Sequence, residues 1–385
     1  MSSDLSIVED ALYHCNKCGF CQATCPHYLE TREEWTAGRG LLRLVRSVLE
    51  GQLPRSEEYA RRLYGCFMCG ACSTACPSGV QMDDVFLAAR RELAAHGLLP
   101  DPLAELGRTI TATGSVTGDD AGARLSWAQG LPFEPPVGGP HALIYFVGCV
   151  SSLQPHAYSP PQHMVRLLEH TGADYGVLGS NEVCCGYPLY INGQVDAARE
   201  MARANVAAVR AAGARQLVTT CSSCYRAWRE FYPRLLGETL DVEVLHATEW
   251  LAQADLNLQP RGPHTRVTYH DPCSLGRGSG LYDAPRQLLK RMGFELAEMA
   301  NAKGDALCCG GGGNMPSLAP GASRAVADLR IAQAAATGAH LLVTACPQCQ
   351  RMLEGALPKD SQMRMADVVE LAWQCLAADG APTGQ

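Results

Sequence analysis

Lysine is almost absent from this chain: four lysines stand beside 28 arginines, dispersed among 39 acidic residues to a net charge of −7. No basic stripe forms, which argues against nucleic acid as a partner. Long apolar runs are missing too. The most apolar stretches, residues 142–150 and 340–345, fall far short of the roughly 20 residues needed to span a bilayer, so membrane contact is expected only through another protein. The chain opens acidic and polar, MSSDLSIVED, which is not the pattern of a secretory signal, and the mature protein is expected to start there. No nicotinamide or flavin fingerprint and no Ser-His-Asp order is found. Four consecutive glycines, Gly310 to Gly313, have no lysine after them, so a phosphate loop is disfavoured and close approach of backbone to a cluster is their better use.

Cysteine is what the sequence has in excess, 19 in 385 residues. An odd number spread over so long a chain makes a poor disulfide framework, and metal ligation is the better reading. CNKCGFCQATCP places Cys15, Cys18, Cys21 and Cys25 in the run CxxCxxCxxxCP, and CFMCGACSTACP repeats it with Cys66, Cys69, Cys72 and Cys76. Three thiolates at two-residue gaps wrap one face of a cubane, and the fourth lies too far along to close the same cage. In such runs it ligates the other cluster. One cubane 4Fe-4S cluster is therefore assigned to Cys15, Cys18, Cys21 and Cys76, the second to Cys66, Cys69, Cys72 and Cys25. Pro26 and Pro77 end the ligand loops. Zinc, the alternative, needs only four sulfurs in two pairs. Between the runs, Leu41, Leu42, Leu44, Val45, Val48, Leu49, Tyr59, Leu63 and Tyr64 recur at helical spacing, so residues 1–100 are expected to be a mostly helical domain. His14 and Lys17 flank the first run, as cluster-tuning groups or as ordinary solvated loop residues.

Residues 114–140 hold ten Gly or Pro in 27 positions, which reads as part of a linker over residues 101–140. Beyond it the chain repeats itself. Cys149, Cys184, Cys185, Cys221 and Cys224 return 124 or 125 residues later as Cys273, Cys308, Cys309, Cys346 and Cys349, with YFVGC matching YHDPC, VCCGYP matching LCCGGG, and LVTTCSSC matching LVTACPQC. That is a tandem duplication, with modules expected at 141–262 and 263–385. Each copy reads as a Rossmann-like α/β unit: strands over 143–147 and 217–220 in the first, 267–270 and 341–345 in the second, with Ala-rich helices over 197–212 and 322–337. The cysteines fall at the carboxyl ends of strands, where open α/β sheets place ligands, and amides of the following helices would favour thiolate.

The spacing C-x34-CC-x35-C-x2-C, and C-x34-CC-x36-C-x2-C in the second copy, resembles the twin cysteine-rich CCG module found in the B-type polypeptide of heterodisulfide reductase. Fusion to a two-cluster ferredoxin resembles the D-type polypeptide of the same enzyme, the iron-sulfur subunit of glycolate oxidase and the C-type polypeptide of anaerobic glycerol-3-phosphate dehydrogenase. The helical N-terminal domain is similar to the iron-sulfur subunits of succinate dehydrogenase and heterodisulfide reductase. The resemblance runs from Cys15 to Cys349. It implies a non-cubane 4Fe-4S cluster on Cys149, Cys184, Cys185, Cys221 and Cys224 and another on Cys273, Cys308, Cys309, Cys346 and Cys349, with a disulfide split between them. Relatives in the glycolate oxidase branch often lack some of these cysteines; this chain lacks none, which favours two filled sites over one filled site and one idle scaffold. His270, Asp271 and Arg277, beside Cys273, are candidates to donate to sulfur or to hold the turn. Cys375 is left over and reads as a small buried hydrophobe.

The leading functional expectation is an electron-transfer subunit of an oxidoreductase, cytoplasmic or peripheral at the inner membrane. It would take electrons from a flavoprotein dehydrogenase for a 2-hydroxy acid such as glycolate or lactate, or from an electron-transfer flavoprotein, and pass them to a quinone or membrane cytochrome. The rival is a disulfide reductase with its active site at the two non-cubane clusters. A substrate cavity between the modules, near Gly186, Tyr187 and Pro188 on one side and Gly310 to Gly313 on the other, distinguishes them. A structural or sensor protein is a third reading with less to support it.

Overall fold

A computed structural model describes residues 5–260 and 265–377; the expected module boundary at 262/263 lies outside them. The N-terminal domain is helical. In the helix Gly38–Leu49, Leu41, Leu42, Val45 and Val48 form one buried stripe, and the helix Glu57–Tyr64 starts at Ser56, whose side chain accepts from the Tyr59 amide, satisfying one orphan donor of the first turn. Both pack on the helix Met82–Ala95.

The segment 101–140 is not the loose tether its composition suggests. It carries a helix, Asp101–Thr113, and a 3-10 stretch, Ala121–Ala128, with Trp127 fully buried against the Tyr145 ring. Its Pro and Gly cluster runs along a sheet edge: the Val177 amide donates to the Pro136 carbonyl at 2.8 Å and the Gly138 amide to the Val177 carbonyl. Proline belongs at such an edge because it has no N–H to offer a further strand.

Two four-stranded parallel sheets follow. The first contains β1 (Leu143–Tyr145), β2 (Tyr175–Val177), β3 (Gln216–Thr219) and β4 (Glu243–His246) in the order β2-β1-β3-β4; the second contains β5 (Arg266–Tyr269), β6 (Glu295–Leu296), β7 (Leu341–Thr344) and β8 (Arg364–Asp367) in the order β6-β5-β7-β8. The duplication persists in detail. His246 and Asp367, each ending a sheet, both form capping boxes, answered by Glu249 and Glu370. Each order has a switch point between its two inner strands, the usual ligand position in such sheets, and Cys149, Cys221, Cys273 and Cys346 all lie just past inner-strand ends.

The cores run across these units. One joins the helical domain to the first module, a second lies between the two sheets, and a third brings Phe67 into the second module. Polar bonds lock the first junction. Arg90, fully buried, donates to the carbonyls of Leu63, Tyr64, Cys66 and Ile191, and the Tyr64 hydroxyl donates to the Asn192 carbonyl at 2.8 Å. Among the described residues no helix is long and apolar enough to cross a membrane.

Candidate metal centres

The ferredoxin-like cysteines gather in two clefts. Cys15, Cys18, Cys21 and Cys76 line one; Cys25, Cys66, Cys69 and Cys72 line the other. Local backbone explains how each run curls. The residue before the second cysteine, Lys17 (φ 56) or Met68 (φ 48), and the glycine after it, Gly19 (φ 89) or Gly70 (φ 72), are left-handed, a conformation rare outside glycine that bends the chain around a common centre. Burial pushes Cys25 up to about 12, with Cys69 and Cys66 adding repulsion, and pushes Cys66 up to about 11. Burial also raises Cys72, followed by Cys66, Cys69 and Cys25. Burial and mutual repulsion keep these sulfurs protonated unless a cation takes the protons' place, and iron suits a donor set of four sulfurs.

The ten cysteines of the two modules form one chain of contacts. Cys149 touches Cys184, Cys184 touches Cys185, and Cys185 touches Cys224, which touches Cys221. Cys273, Cys308, Cys309, Cys349 and Cys346 repeat the order. The halves meet where Cys221 contacts Cys346. Vicinal cysteines thus face different partners, an arrangement suited to bridging an extended cluster and awkward for one zinc ion. Hydrogen bonds from Cys184 and Cys224 pull Cys185 down to about 6, and those from Cys308 and Cys349 pull Cys309 down to about 5.

Charged residues frame these sulfurs. Arg124, from the supposed linker, reaches Cys149 Sγ at 3.6 Å and forms a fully buried ion pair with Glu182 at 3.1 Å; Glu182 in turn accepts from the amides of Val147 and Gly148, both at 2.9 Å. Neither residue belongs to a motif, and neither stands out in the sequence. Arg277 serves the second module: its Nε donates to the Cys69 carbonyl at 2.7 Å and its Nη1 to the carbonyls of Gly304 and Ala306. Asp271 is paired with Arg286 at 2.7 Å. Burial drives His270 down to about 3, and one of its ring nitrogens lies within 4.8 Å of the sulfurs of Cys309 and Cys349. Cys375 is buried in the core between the sheets, and Cys18, beside Lys17, is the exposed member of the first cleft.

A cavity of about 330 Å³ opens against all five cysteines of the first module. Its other wall comes from the second module: Gly311, Asn314, Gln348 and Arg351. Tyr187 and Pro188 also line it, and none of the second module's cysteines does. The second set is covered instead by the helical domain. A side-chain carbon on Gly312 would lie 2.3 Å from the Phe67 carbonyl oxygen, and one on Gly313 2.3 Å from that of Cys66, so the glycine run is where the second ferredoxin-like loop presses on the second module.

The helical pair of sulfur clefts and the twin sulfur-lined sheets define an iron-sulfur component of an oxidoreductase. The model of a 4Fe-4S dicluster domain matches residues 11–80, and that of a cysteine-rich domain, CCG, matches residues 143–228 and 267–354. The chain is 33% identical to the D-type polypeptide of the dihydromethanophenazine:CoB--CoM heterodisulfide reductase of Methanosarcina mazei, over 95% of its own length and 94% of that protein's. It is 26% identical to a probable glycolate oxidase iron-sulfur subunit of Bacillus subtilis, over 97% and 96% of the two chains. A crystal structure of a hypothetical protein from Helicobacter pylori shares the fold at a TM-score of 0.63 and 10% identity, over 90% of this chain and 69% of that one. The chain belongs to the family of D-type heterodisulfide reductase polypeptides and is a 4Fe-4S protein.

Proposed function

We propose that the chain carries electrons from a partner docked near the first ferredoxin-like cluster, by way of the second CCG sulfur set, to a thiol/disulfide reaction site at the first CCG set, or in the reverse direction. The observation carrying this reading is the cavity against Cys149, Cys184, Cys185, Cys221 and Cys224. A cluster on these five cysteines fills the space against them in either reading; what a pure relay does not require is the extension of the cavity to Asn314, Gln348 and Arg351 of the second module, and the whole falls within the size range of small-molecule sites. The ligand sets are those expected from the sequence: cubanes on Cys15, Cys18, Cys21 and Cys76 and on Cys66, Cys69, Cys72 and Cys25, and non-cubane clusters on the two five-cysteine sets. Bound there, the clusters supply one-electron steps in both directions.

The chain's own groups supply the rest. Arg351 is partly buried, its Nε has no hydrogen-bond partner, and it lines the cavity, so it favours a substrate with an anionic tail. Gln348 offers a further donor, whereas the Asn314 amide already donates to the Pro188 carbonyl and to Asn192 Oδ1. Reduction of the substrate breaks its sulfur–sulfur bond, consumes two electrons delivered through the clusters and two protons from solvent, and leaves two thiols. The partner on the other side is a flavoprotein dehydrogenase, an electron-transfer flavoprotein, or a membrane cytochrome or quinone enzyme. The full-length likeness to a glycolate oxidase component favours a second reading, in which the same clusters only relay.

On anaerobically purified protein, iron and sulfide are each expected at about sixteen per chain, from four 4Fe-4S clusters. Zinc with little iron would overturn the assignment. Titration with thiols and disulfides, followed by electron paramagnetic resonance, then separates the readings. A new half-integer signal on oxidation in the presence of thiol, absent from Cys184→Ala, is expected; cluster spectra indifferent to every thiol and disulfide would leave only the relay.

A further inference from the structure

The two modules share their sulfurs but differ beside them. His270 and Phe146 occupy equivalent positions, each donating its amide at 2.8 Å to the neighbouring inner strand, His270 to Val343 and Phe146 to Val218. Phe146 is an apolar side chain packed edge-on to Trp228. His270, 1% exposed, sits within 4.8 Å of Cys309 and Cys349. Behind it lies Arg330, fully buried, where the first module has Asn205, whose amide is occupied by the carbonyls of Val183 and Cys184 and the Tyr232 hydroxyl.

The Arg330–His270 bond decides what the ring can do. Arg330 Nε donates to His270 Nδ1 at 3.0 Å, and a guanidinium has only donors. Nδ1 must therefore present its lone pair, which leaves the ring proton on Nε2. Nε2 is buried and has no hydrogen-bond partner, a costly state for an N–H unless an acceptor arrives with the bound group. A protonated Nε2 has no lone pair for iron. We propose that His270 is a positioning residue of the second CCG site, its Nε2–H donating a hydrogen bond to sulfur of the cluster held there, where the first site has the apolar Phe146 at the equivalent place. Hydrogen bonds to sulfur favour the more negative, reduced cluster and raise its potential. The second site, pressed against the ferredoxin-like loop, thereby takes up electrons more readily than it would with phenylalanine at residue 270, and the first, where Arg124 reaches Cys149 instead, faces the cavity.

This inference rests on the reading that both five-cysteine sets hold clusters, and the test keeps the two apart. In the loaded protein the second-site signal is first identified as the one lost in Cys308→Ala, and midpoint potentials are measured by redox titration under electron paramagnetic resonance. His270→Phe, which installs the first module's residue, is expected to lower the second-site potential by about 59 mV, a tenfold change in the one-electron equilibrium, and to leave the other three centres unmoved. His270→Gln, which keeps an N–H at the same reach, retains most of the wild-type value. Pulsed resonance on the wild type shows an exchangeable proton coupled to the second site, absent from His270→Phe and retained in His270→Gln. An unmoved potential in His270→Phe at full iron content overturns the proposal, as does a ¹⁵N coupling of the strength of a direct iron–nitrogen bond. If His270→Phe does not load, loss of the proton from His270→Gln with no change of potential is equally fatal. Iron near eight per wild-type chain would instead remove the clusters themselves.

Discussion

Replacing Cys25 by serine is expected to remove about four irons per chain, and the cluster lost is the one built on the distant run Cys66, Cys69 and Cys72. Cys25 lines their cleft, not that of Cys15, Cys18 and Cys21, and the nearest charges acting on it are those of Cys69 and Cys66. The backbone leaves it little choice. Pro26 opens the helix Pro26–Thr31 immediately after it, so the cysteine is held extended (φ −77, ψ 114) and its sulfur projects away from the loop it ends. Cys76→Ser is expected to do the reverse and take the cluster of Cys15, Cys18 and Cys21. The consequences differ as well as the signals. The Cys66–Cys72 loop touches the second module through Phe67 and Arg277, so Cys25→Ser should leave the CCG centres unable to follow the cluster of Cys15, Cys18, Cys21 and Cys76, whereas Cys76→Ser spares that contact. Iron analysis with Mössbauer or paramagnetic resonance spectra checks both. Loss of the signal belonging to Cys15, Cys18 and Cys21 in Cys25→Ser would reverse the topology drawn here.

Spacing made the sulfur sets legible because ligand geometry is local: two residues between cysteines, a proline after the fourth, and two copies of CC and CxxC at a fixed offset. The parallel strands were legible for a similar reason, since apolar runs such as LIYFV and LLVTA are bounded by the cysteine turns. Arg124 shows what was not. It sits in a stretch rich in Gly and Pro, and nothing nearby in the sequence marks it, yet the 3-10 turn Ala121–Ala128 carries it to Cys149 and Glu182. Arg90 is similar: inside an Ala-rich helix it reads as a solvated charge, and only the docking of Ile191 and Cys66 turns it into a buried clamp. Composition reports how floppy a stretch could be, not what it is tied to. The junction of the two sulfur sets at Cys221 and Cys346 was hidden for the same reason, because it depends on how two sheets pack and on no motif in either. Gly310 to Gly313 fall between these cases. A close approach was inferable from four glycines without lysine, but the expected surface was a cluster, and what lies against Gly312 and Gly313 is the backbone of Phe67 and Cys66.

That approach yields the second large effect. Gly313→Ala is expected to cost about 2 to 4 kcal/mol and to loosen the cluster of Cys25, Cys66, Cys69 and Cys72. Two independent costs combine. Gly313 is left-handed at φ 64, which an L side chain adopts only with strain, and its new carbon would meet the Cys66 carbonyl oxygen at 2.3 Å and the Phe67 Cα at 2.9 Å. Both obstacles are backbone, so no rotamer relieves them, and the loop carrying Cys66 must move. Cys66 is also the residue whose carbonyl accepts from Arg90 Nη2 at 2.7 Å, so the displacement pulls on the clamp between the helical domain and the first module. Gly321→Ala is the matched control: it lies near the start of the helix Pro320–Ala335 with nothing within 4 Å of the added carbon, and it is expected to be neutral or stabilising by up to about 1 kcal/mol. The measurement is the temperature at which the visible iron-sulfur absorbance is lost, together with the rate at which a chelator removes iron from each centre. Gly313→Ala should lower that temperature by several degrees and speed iron loss at the cluster of Cys25, Cys66, Cys69 and Cys72 ahead of that of Cys15, Cys18, Cys21 and Cys76. Equal behaviour of Gly313→Ala and Gly321→Ala would mean that the ferredoxin-like loop does not press on the second module, and that electrons reach the CCG centres by another face.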